Sequence, residues 1–432
     1  MCGGWAPSVL SGRGDGRDYL PDTIRTRDMS LPQAQTKVRK NSSTHVYQVF
    51  YVYILLMSIV SSRTASMHTP PHKELLRNPA LDLIRSCAII AVITLHIMPQ
   101  REDLWIYRIF VESVSKVGVP LFLILTGYLM LDRDYATPGK IKRFLVHNWL
   151  PLVFAFEIWV VVSSLVPVAR MFMDSGSLAK TIGDVLGTAF FWREPFLIHL
   201  WYMQLLIGIY LFIPALAICL RASTTNETRI WLYIVLGLFI CWVFVLPTVQ
   251  QILSWYGINI GGESTLGWFS GRGAMGIAFM LLGYCIRTIP VLHSCRQSMR
   301  WIIFALSLLL LWGVSALDWI ETKQSFMVTS GFFPIAFFGF ALFLLMEPLG
   351  HLMVRMHKFS RVCLRISKLS FGIYMVHLPM SMLLNAVLPD FASHGFIHLA
   401  IVNPFTIGVL SFACCLLLEQ IPFAKRWMLL IK

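Results

Sequence analysis

From Ala80 onward the chain repeats one pattern: about twenty apolar residues, a short polar interruption, then another apolar run. Coiled as an α-helix at about 1.5 Å per residue, such a run matches the hydrocarbon thickness of a bilayer. Lipid offers the backbone no hydrogen-bond partner, so consecutive runs of this kind must fold as helices. The expected fold is therefore an all-α integral membrane protein with about ten transmembrane helices. The expected spans are Ala80–Met98, Val111–Leu131, Asn148–Val168, His199–Leu220, Ile230–Val249, Gly271–Ile289, Trp301–Leu317, Met327–Met346, Leu369–Val387 and Ile397–Leu418. Gly118, Pro120 and Gly127 interrupt the second run, which membrane helices tolerate where neighbours satisfy the freed backbone groups. Thr181–Leu197 is amphipathic and broken by Asp184, Arg193, Glu194 and Pro195, so it is expected to lie at the interface or re-enter. Only 13% of residues are charged and 56% are apolar, against about 25% charged in a soluble domain.

The net charge of +14 does not point to nucleic acid, because no soluble basic domain carries it. Lys and Arg fall between the apolar runs, where they set orientation. The loop Leu349–Lys368 holds Arg355, Lys358, Arg361, Arg365 and Lys368, whereas the opposite side has no Lys or Arg after Lys323. This asymmetry places both termini in the cytoplasm. The nine cysteines show no paired spacing of the disulfide or zinc kind and read as small packing residues. Residues 1–66 differ from the rest. Met1–Lys40 lacks helical periodicity and reads as disordered, and Tyr47–Val60 is too short to span. That stretch is either a signal-peptide core behind Arg39 and Lys40 or part of a leader assigned ahead of a start at Met57 or Met67. Residues 67–432 form the expected polytopic domain.

Ionisable side chains inside membrane helices are costly and are functional candidates by default. The first run carries Asp82, Arg85 and His96. Arg85 and His96 are eleven steps apart, which returns to nearly the same helix face at a separation of roughly 16 Å along the axis. Arg85 is expected near the cytoplasmic face, within reach of Asp82 at i+3, and His96 near mid-bilayer. Arg85 can bind a phosphate bidentately, or it can serve as a positive-inside anchor. A neutral imidazole can act as a general base at physiological pH. Ser370, Tyr374 and His377 share one face of the ninth run; they are either a hydrogen-bonded seam between helices or a polar surface offered to a substrate. His199 and Trp201 open the fourth run as an interface anchor or as an acceptor-binding pair. Arg287, at a cytoplasmic helix end, is an anchor or a second phosphate contact. No Gly-rich phosphate loop, nucleophile elbow or zinc spacing appears, so no metal is expected.

The segment Arg77-Asn-Pro-Ala-Leu-Asp82-Leu-Ile-Arg85, with His96 eleven residues after Arg85, resembles the opening helix of the bacterial membrane acyltransferase-3 family. Four later segments agree with that family in order. They are Val119-Pro-Leu-Phe-Leu-Ile-Leu-Thr-Gly-Tyr128, His199-Leu-Trp-Tyr202, Gly283-Tyr-Cys-Ile-Arg287 and Leu369-Ser-Phe-Gly-Ile-Tyr374-Met-Val-His377. The resemblance covers about residues 75–430 and is nearest to short members without an appended soluble domain. Ser86 and Thr126 stand where the family carries Gly and Ser, and both keep a small residue. The resemblance implies an O-acyltransferase of the bacterial inner membrane that uses acetyl-CoA, or another acyl-CoA, as donor substrate with no permanently bound cofactor. The implied acceptor is a hydroxyl of a surface glycan or of a lipid-linked sugar. In that reading Arg85, Asp82 and Arg287 serve the acyl-CoA. His96 and His377 are catalytic, with His96 either a base or a transient acyl carrier. Tyr374, Ser370, His199 and Trp201 serve the acceptor or support the site.

Two other classes place polar groups at mid-membrane: a carrier for a lipid-linked sugar or small solute, and a non-catalytic partner in glycan assembly. No repeated pattern relates the two halves of the chain, as inverted-repeat carriers often show. The orientation is testable on its own. In a protein stripped of native cysteines, single cysteines placed in Leu349–Lys368 are expected to resist a membrane-impermeant reagent added to intact cells, and cysteines in Pro389–His394 are expected to react. Labelling of Leu349–Lys368 from outside would reverse the assignment.

Overall fold

The computed structural model describes residues 78–97, 105–173, 178–223, 225–260, 271–322, 331–388 and 397–431, which belong to one compact unit, His68–Lys432. The expected leader, including Tyr47–Val60, lies outside the described residues. Eleven principal helices follow in order: α1 (Pro79–His96), α2 (Gly118–Met130), α3 (Leu150–Met173), α4 (Leu178–Ala189), α5 (Trp201–Ala222), α6 (Asn226–Ile240), α7 (Gly271–Thr288), α8 (Gln297–Thr322), α9 (Phe333–Met346), α10 (His357–Val387) and α11 (Asn403–Leu418). No strand occurs among the described residues.

Among the described residues, nine helices are long and apolar enough to cross a membrane. The remaining expected span, Gly271–Ile289, is the helix α7. Arg272, Arg287 and its glycines lower its hydropathy, yet its interior from Ala274 to Ile286 is largely buried. The second run begins earlier than the sequence suggests: it is a continuous span from Trp105 to Met130, with a π-helical turn at Arg108–Glu112. As expected, Thr181–Leu197 does not span. It holds the short helix α4, and a turn then leads to His199.

Local chemistry starts the first helix. The Asn78 side chain accepts from Ala80 N at 3.0 Å, and Pro79 fills the first helical position, where a missing N–H costs nothing. The helix ends at His96. His96 is therefore the terminal residue of α1, and Arg85 lies in its second turn. Helix α9 is apolar all round and buried along most of its length, as a central helix must be. By contrast, only 17% of the most apolar stretch of Asn226–Trp255 is buried, so that span forms the periphery.

Small residues set the closest approaches. At Gly127 a Cβ would collide with the backbone of Met280 on α7, and at Gly283 one would collide with the Ile124 carbonyl on α2. The two helices thus touch backbone to backbone from both sides. At Gly118 a Cβ would sit 2.8 Å from Ala88 O and 2.7 Å from Val92 Cγ2, both on α1. Without a hydrophobic driving force in lipid, such dispersion-rich contact is a principal source of helix association. At the end of the second span, Asp134 accepts from Lys140 at 2.7 Å, from Thr137 Oγ1, and from Ala136 N at 3.0 Å. The Lys140 contact above all holds its carboxyl well below the usual carboxylate range. This knot turns the chain into the next span.

Gly127→Ala and Gly283→Ala are expected to destabilise the folded protein by about 1–3 kcal/mol each, the cost of overpacking, seen as a lower thermal midpoint in detergent. Gly237→Ala, where a Cβ meets nothing within 4 Å, should leave the midpoint unchanged. Equal midpoints for all three variants would refute the close-packed seam.

Candidate active site

The polar face of α1 meets α10. Ser367 Oγ donates to Asp82 Oδ1 at 2.7 Å and accepts from Arg85 Nη1 at 3.4 Å, so a hydroxyl from the neighbouring helix stands between carboxylate and guanidinium. One turn on, Ser86 Oγ reaches Asp82 O at 2.8 Å and Cys363 O at 3.1 Å. The hydroxyl that distinguishes Ser86 from glycine thus contacts the partner helix. Ser370 donates to Ser367 O at 2.9 Å. Residues 367, 370, 374 and 377 form one stripe along α10, and Ser367 is the stripe member that sequence reasoning missed. Its place three residues before Ser370 was the available clue.

At the far end of this seam three imidazoles meet, one from each of three distant segments. The ring centroids of His96 and His377 are 5.1 Å apart, those of His199 and His377 5.0 Å, and those of His96 and His199 6.2 Å, all in edge arrangements. His199 and His377 are completely buried, while His96 is half-buried. His96 Nδ1 lies 2.8 Å from Val92 O, and His377 Nδ1 lies 2.6 Å from Tyr374 O. A carbonyl can only accept, so in each neutral ring Nδ1 carries the proton and Nε2 keeps its lone pair. Among the described residues, His377 Nε2 is buried without a hydrogen-bond partner. The Met375 carbonyl is within electrostatic reach of His199, although neither ring nitrogen makes a hydrogen bond in full geometry. Tyr374 Oη donates to the His199 carbonyl, and its ring lies 5.4 Å from that of His199 and 5.5 Å from that of Tyr202. No three His, Cys, Asp or Glu side chains among the described residues are arranged to hold a metal ion.

A cavity of about 870 Å³ approaches this cluster from the opposite end of α1. Tyr202 and Tyr374 line its inner part, and Arg85, Ser367, Lys368 and Ser370 line it further out. Among the described residues, no Asp or Glu lines it. His96, His199 and His377 are not part of its wall, but the lining residue Tyr374 has its ring 5.4 Å from that of His199 and 5.8 Å from that of His377. The arrangement offers an anion-binding mouth, a mostly apolar passage and a group of imidazoles beyond its inner end.

The other expected site residues have different surroundings. Arg287 pairs with Asp132 at 3.0 Å and lies 5.3 Å from the centre of the Tyr128 ring, away from the cavity wall. Trp201 is covered by the Arg272 guanidinium at 5.1 Å, and Arg272 pairs with Glu194 at 2.7 Å. Trp201 too is absent from the cavity wall.

A second buried charge group was not anticipated. Lys116 pairs with Glu112 at 3.1 Å, each only 11% exposed. Arg108, and Asp318 from α8, lie within electrostatic reach of Lys116. The spacing 108, 112, 116 was its clue.

A family model described as an acyltransferase domain, that of the membrane acyltransferase-3 family, matches residues 78–420. No curated protein matches the chain, and no solved structure does.

The burial pattern makes a chemical prediction. Diethyl pyrocarbonate acylates the free nitrogen of neutral imidazoles, so His96 is expected to react well before His199 and His377 when modification is followed by peptide mass mapping. Reaction of all three at one rate would contradict the packing described.

Proposed function

The chain belongs to the membrane acyltransferase-3 family, and from this premise we propose that it transfers an acyl group, in the first instance acetyl, from acyl-CoA to a carbohydrate hydroxyl at the membrane. The observation that carries the reading is the cationic, carboxylate-free cavity leading toward three clustered histidines. Its volume lies within the range typical of small-molecule sites, about 300–1,000 Å³.

In this proposal the nucleotide phosphates stay at the basic end, which the loop charges assign to the cytoplasm, and Arg85 contributes a charge-assisted contact. The thioester reaches inward past Ser370 toward Tyr374 and Tyr202. The acceptor hydroxyl, from a surface glycan or its lipid-linked precursor, meets His96 from the other side. His96 Nε2 takes the hydroxyl proton as a general base. The oxygen attacks the thioester carbonyl, the C–S bond breaks, and the thiolate leaves with the proton returned by the imidazolium. The carbonyl of Val92 fixes the His96 tautomer. His377, whose Nδ1 is likewise engaged, presents Nε2 to the same space and orients the acceptor hydroxyl or His96. Asp82 and Ser367 hold Arg85 in place. Arg287 acts from outside the cavity by stabilising the cytoplasmic end of α7 through Asp132.

Radiolabelled acetyl-CoA supplied to inside-out vesicles tests the reaction: CoA thiol should be released in an acceptor-dependent way, and label should appear in glycan. A carrier or an assembly partner would release none. His96→Ala is expected to lower turnover by about 10²- to 10⁴-fold with donor binding largely retained. Arg85→Ala is expected to weaken donor binding by about 1.5–3 kcal/mol, and Arg85→Lys should restore only part, because a point charge cannot reproduce the guanidinium fork. Near-normal transfer by well-folded His96→Ala protein would remove the central role assigned to that residue.

A further inference from the structure

Beyond α11 the chain turns back into the bundle. Glu419 pairs with Arg365 of α10, and residues 424–428 form a single π-helical turn. Trp159 Nε1 of α3 donates to Met428 O at 3.2 Å. Leu429, 1% exposed, presses on Gly372 of α10, where a Cβ would collide with its side chain. Trp427 meets Phe154 of α3 with ring centroids 5.4 Å apart. The segment is thus wedged between α3 and α10, the latter carrying the polar stripe of the site.

From this position it forms part of the cavity wall. Lys425, Arg426 and Trp427 line the cavity together with Arg85 and Lys368. Lys425 is partly buried and Arg426 is exposed. Neither enters an ion pair among the described residues. Arg426 lies 4.9 Å from the centre of its neighbour's ring, Trp427, which directs the guanidinium along the wall. The cavity therefore presents cations from two parts of its wall: Arg85 and Lys368 on the helices α1 and α10, and Lys425 and Arg426 on the wedged segment. A single carboxylate or monophosphate needs only one such wall. A head group with several phosphates can engage both.

We propose that Pro422–Ile431 forms the outer half of the donor site, with Lys425 and Arg426 binding phosphate groups of the nucleotide head of acyl-CoA. This rests on the acyl-CoA reading given above. It adds a set of binding residues from the end of the described chain, beyond residue 420, where the family match ends. The phosphate chemistry is also that of an anionic lipid headgroup, and the test separates the two sources.

Calorimetry on the full-length protein in neutral phosphatidylcholine nanodiscs would compare CoA, 3′-dephospho-CoA and pantetheine. Lys425→Ala/Arg426→Ala is expected to weaken CoA binding at least tenfold, to weaken dephospho-CoA less, and to leave pantetheine unchanged. Should the double alanine lower the thermal midpoint, Lys425→Gln/Arg426→Gln keeps most of both stems and carries the same expectation. If the wild-type protein binds none of the nucleotides, the acyl-CoA reading itself fails. If wild type binds CoA and the folded variants bind it equally well, the assignment of the segment fails. Equal CoA binding combined with loss of preference for phosphatidylglycerol would reassign the two cations to lipid.

Discussion

Backbone contact between α2 and α7 is the constraint on which the site depends. Gly127 and Gly283 remove the side chains that would hold these helices apart, and the rest of the bundle is registered from that seam. Gly118 brings α1 against α2, and Gly276 receives Ile209 of α5 against α7. Ser86 and Ser367 then tie α10 to α1 through hydrogen bonds. The sequence of contacts runs α10, α1, α2, α7, α5; His377 lies on α10, His96 on α1, and His199 just before α5. Three residues separated by up to 281 positions meet because each intervening contact has a small residue on at least one side, with little freedom to re-space.

Much of this was legible in the chain because lipid simplifies the problem. A run of about twenty apolar residues has one stable backbone conformation there, so nine expected spans appear as membrane-length helices. Arg85 and His96 stood out because charge and imidazole are rare in such runs. The end of their helix at His96 did not follow from the sequence, because a hydropathy pattern does not fix where a helix stops. His199 read equally well as an interface anchor. Its role in the histidine cluster depends on which helices are neighbours, and local periodicity does not encode that. Arg287, which read equally as a helix-end anchor or a phosphate contact, is paired with Asp132.

The Arg108, Glu112, Lys116 and Asp318 group shows the same limit. The expected second span began at Val111, which divided the 108, 112, 116 stripe between loop and helix and hid its i, i+4 regularity. The π-helical turn at Arg108–Glu112 also shifts the facing of these side chains relative to a uniform helix. Glu112 and Lys116 compensate each other at 3.1 Å, and Asp318 supplies a second carboxylate near Lys116 from α8. Removing one partner of such a group would strand a buried charge, which costs far more than the pair contributes. The group therefore fixes the second span against α8, on a different face from the one that meets α1.

The seam between α2 and α7 also bears on the choice between enzyme and carrier. Carriers expose one site alternately to two sides, largely by rocking one bundle of helices against another. A backbone-to-backbone contact enforced from both sides by Gly127 and Gly283 resists such motion, because any re-spacing forfeits dispersion across the whole interface. Chemistry at a fixed place asks for the opposite property: reacting groups held in one geometry while two substrates approach from different ends. Tyr374 lines the cavity, and the half-buried His96 is outside its wall. In the proposed reaction the donor would wait in the cavity while the acceptor arrives at His96. Tyr374 is itself tied to the His199 carbonyl, so any movement that opens the passage must also shift the start of α5. This makes the boundary between cavity and histidines the part of the fold where substrate arrival and helix packing are coupled.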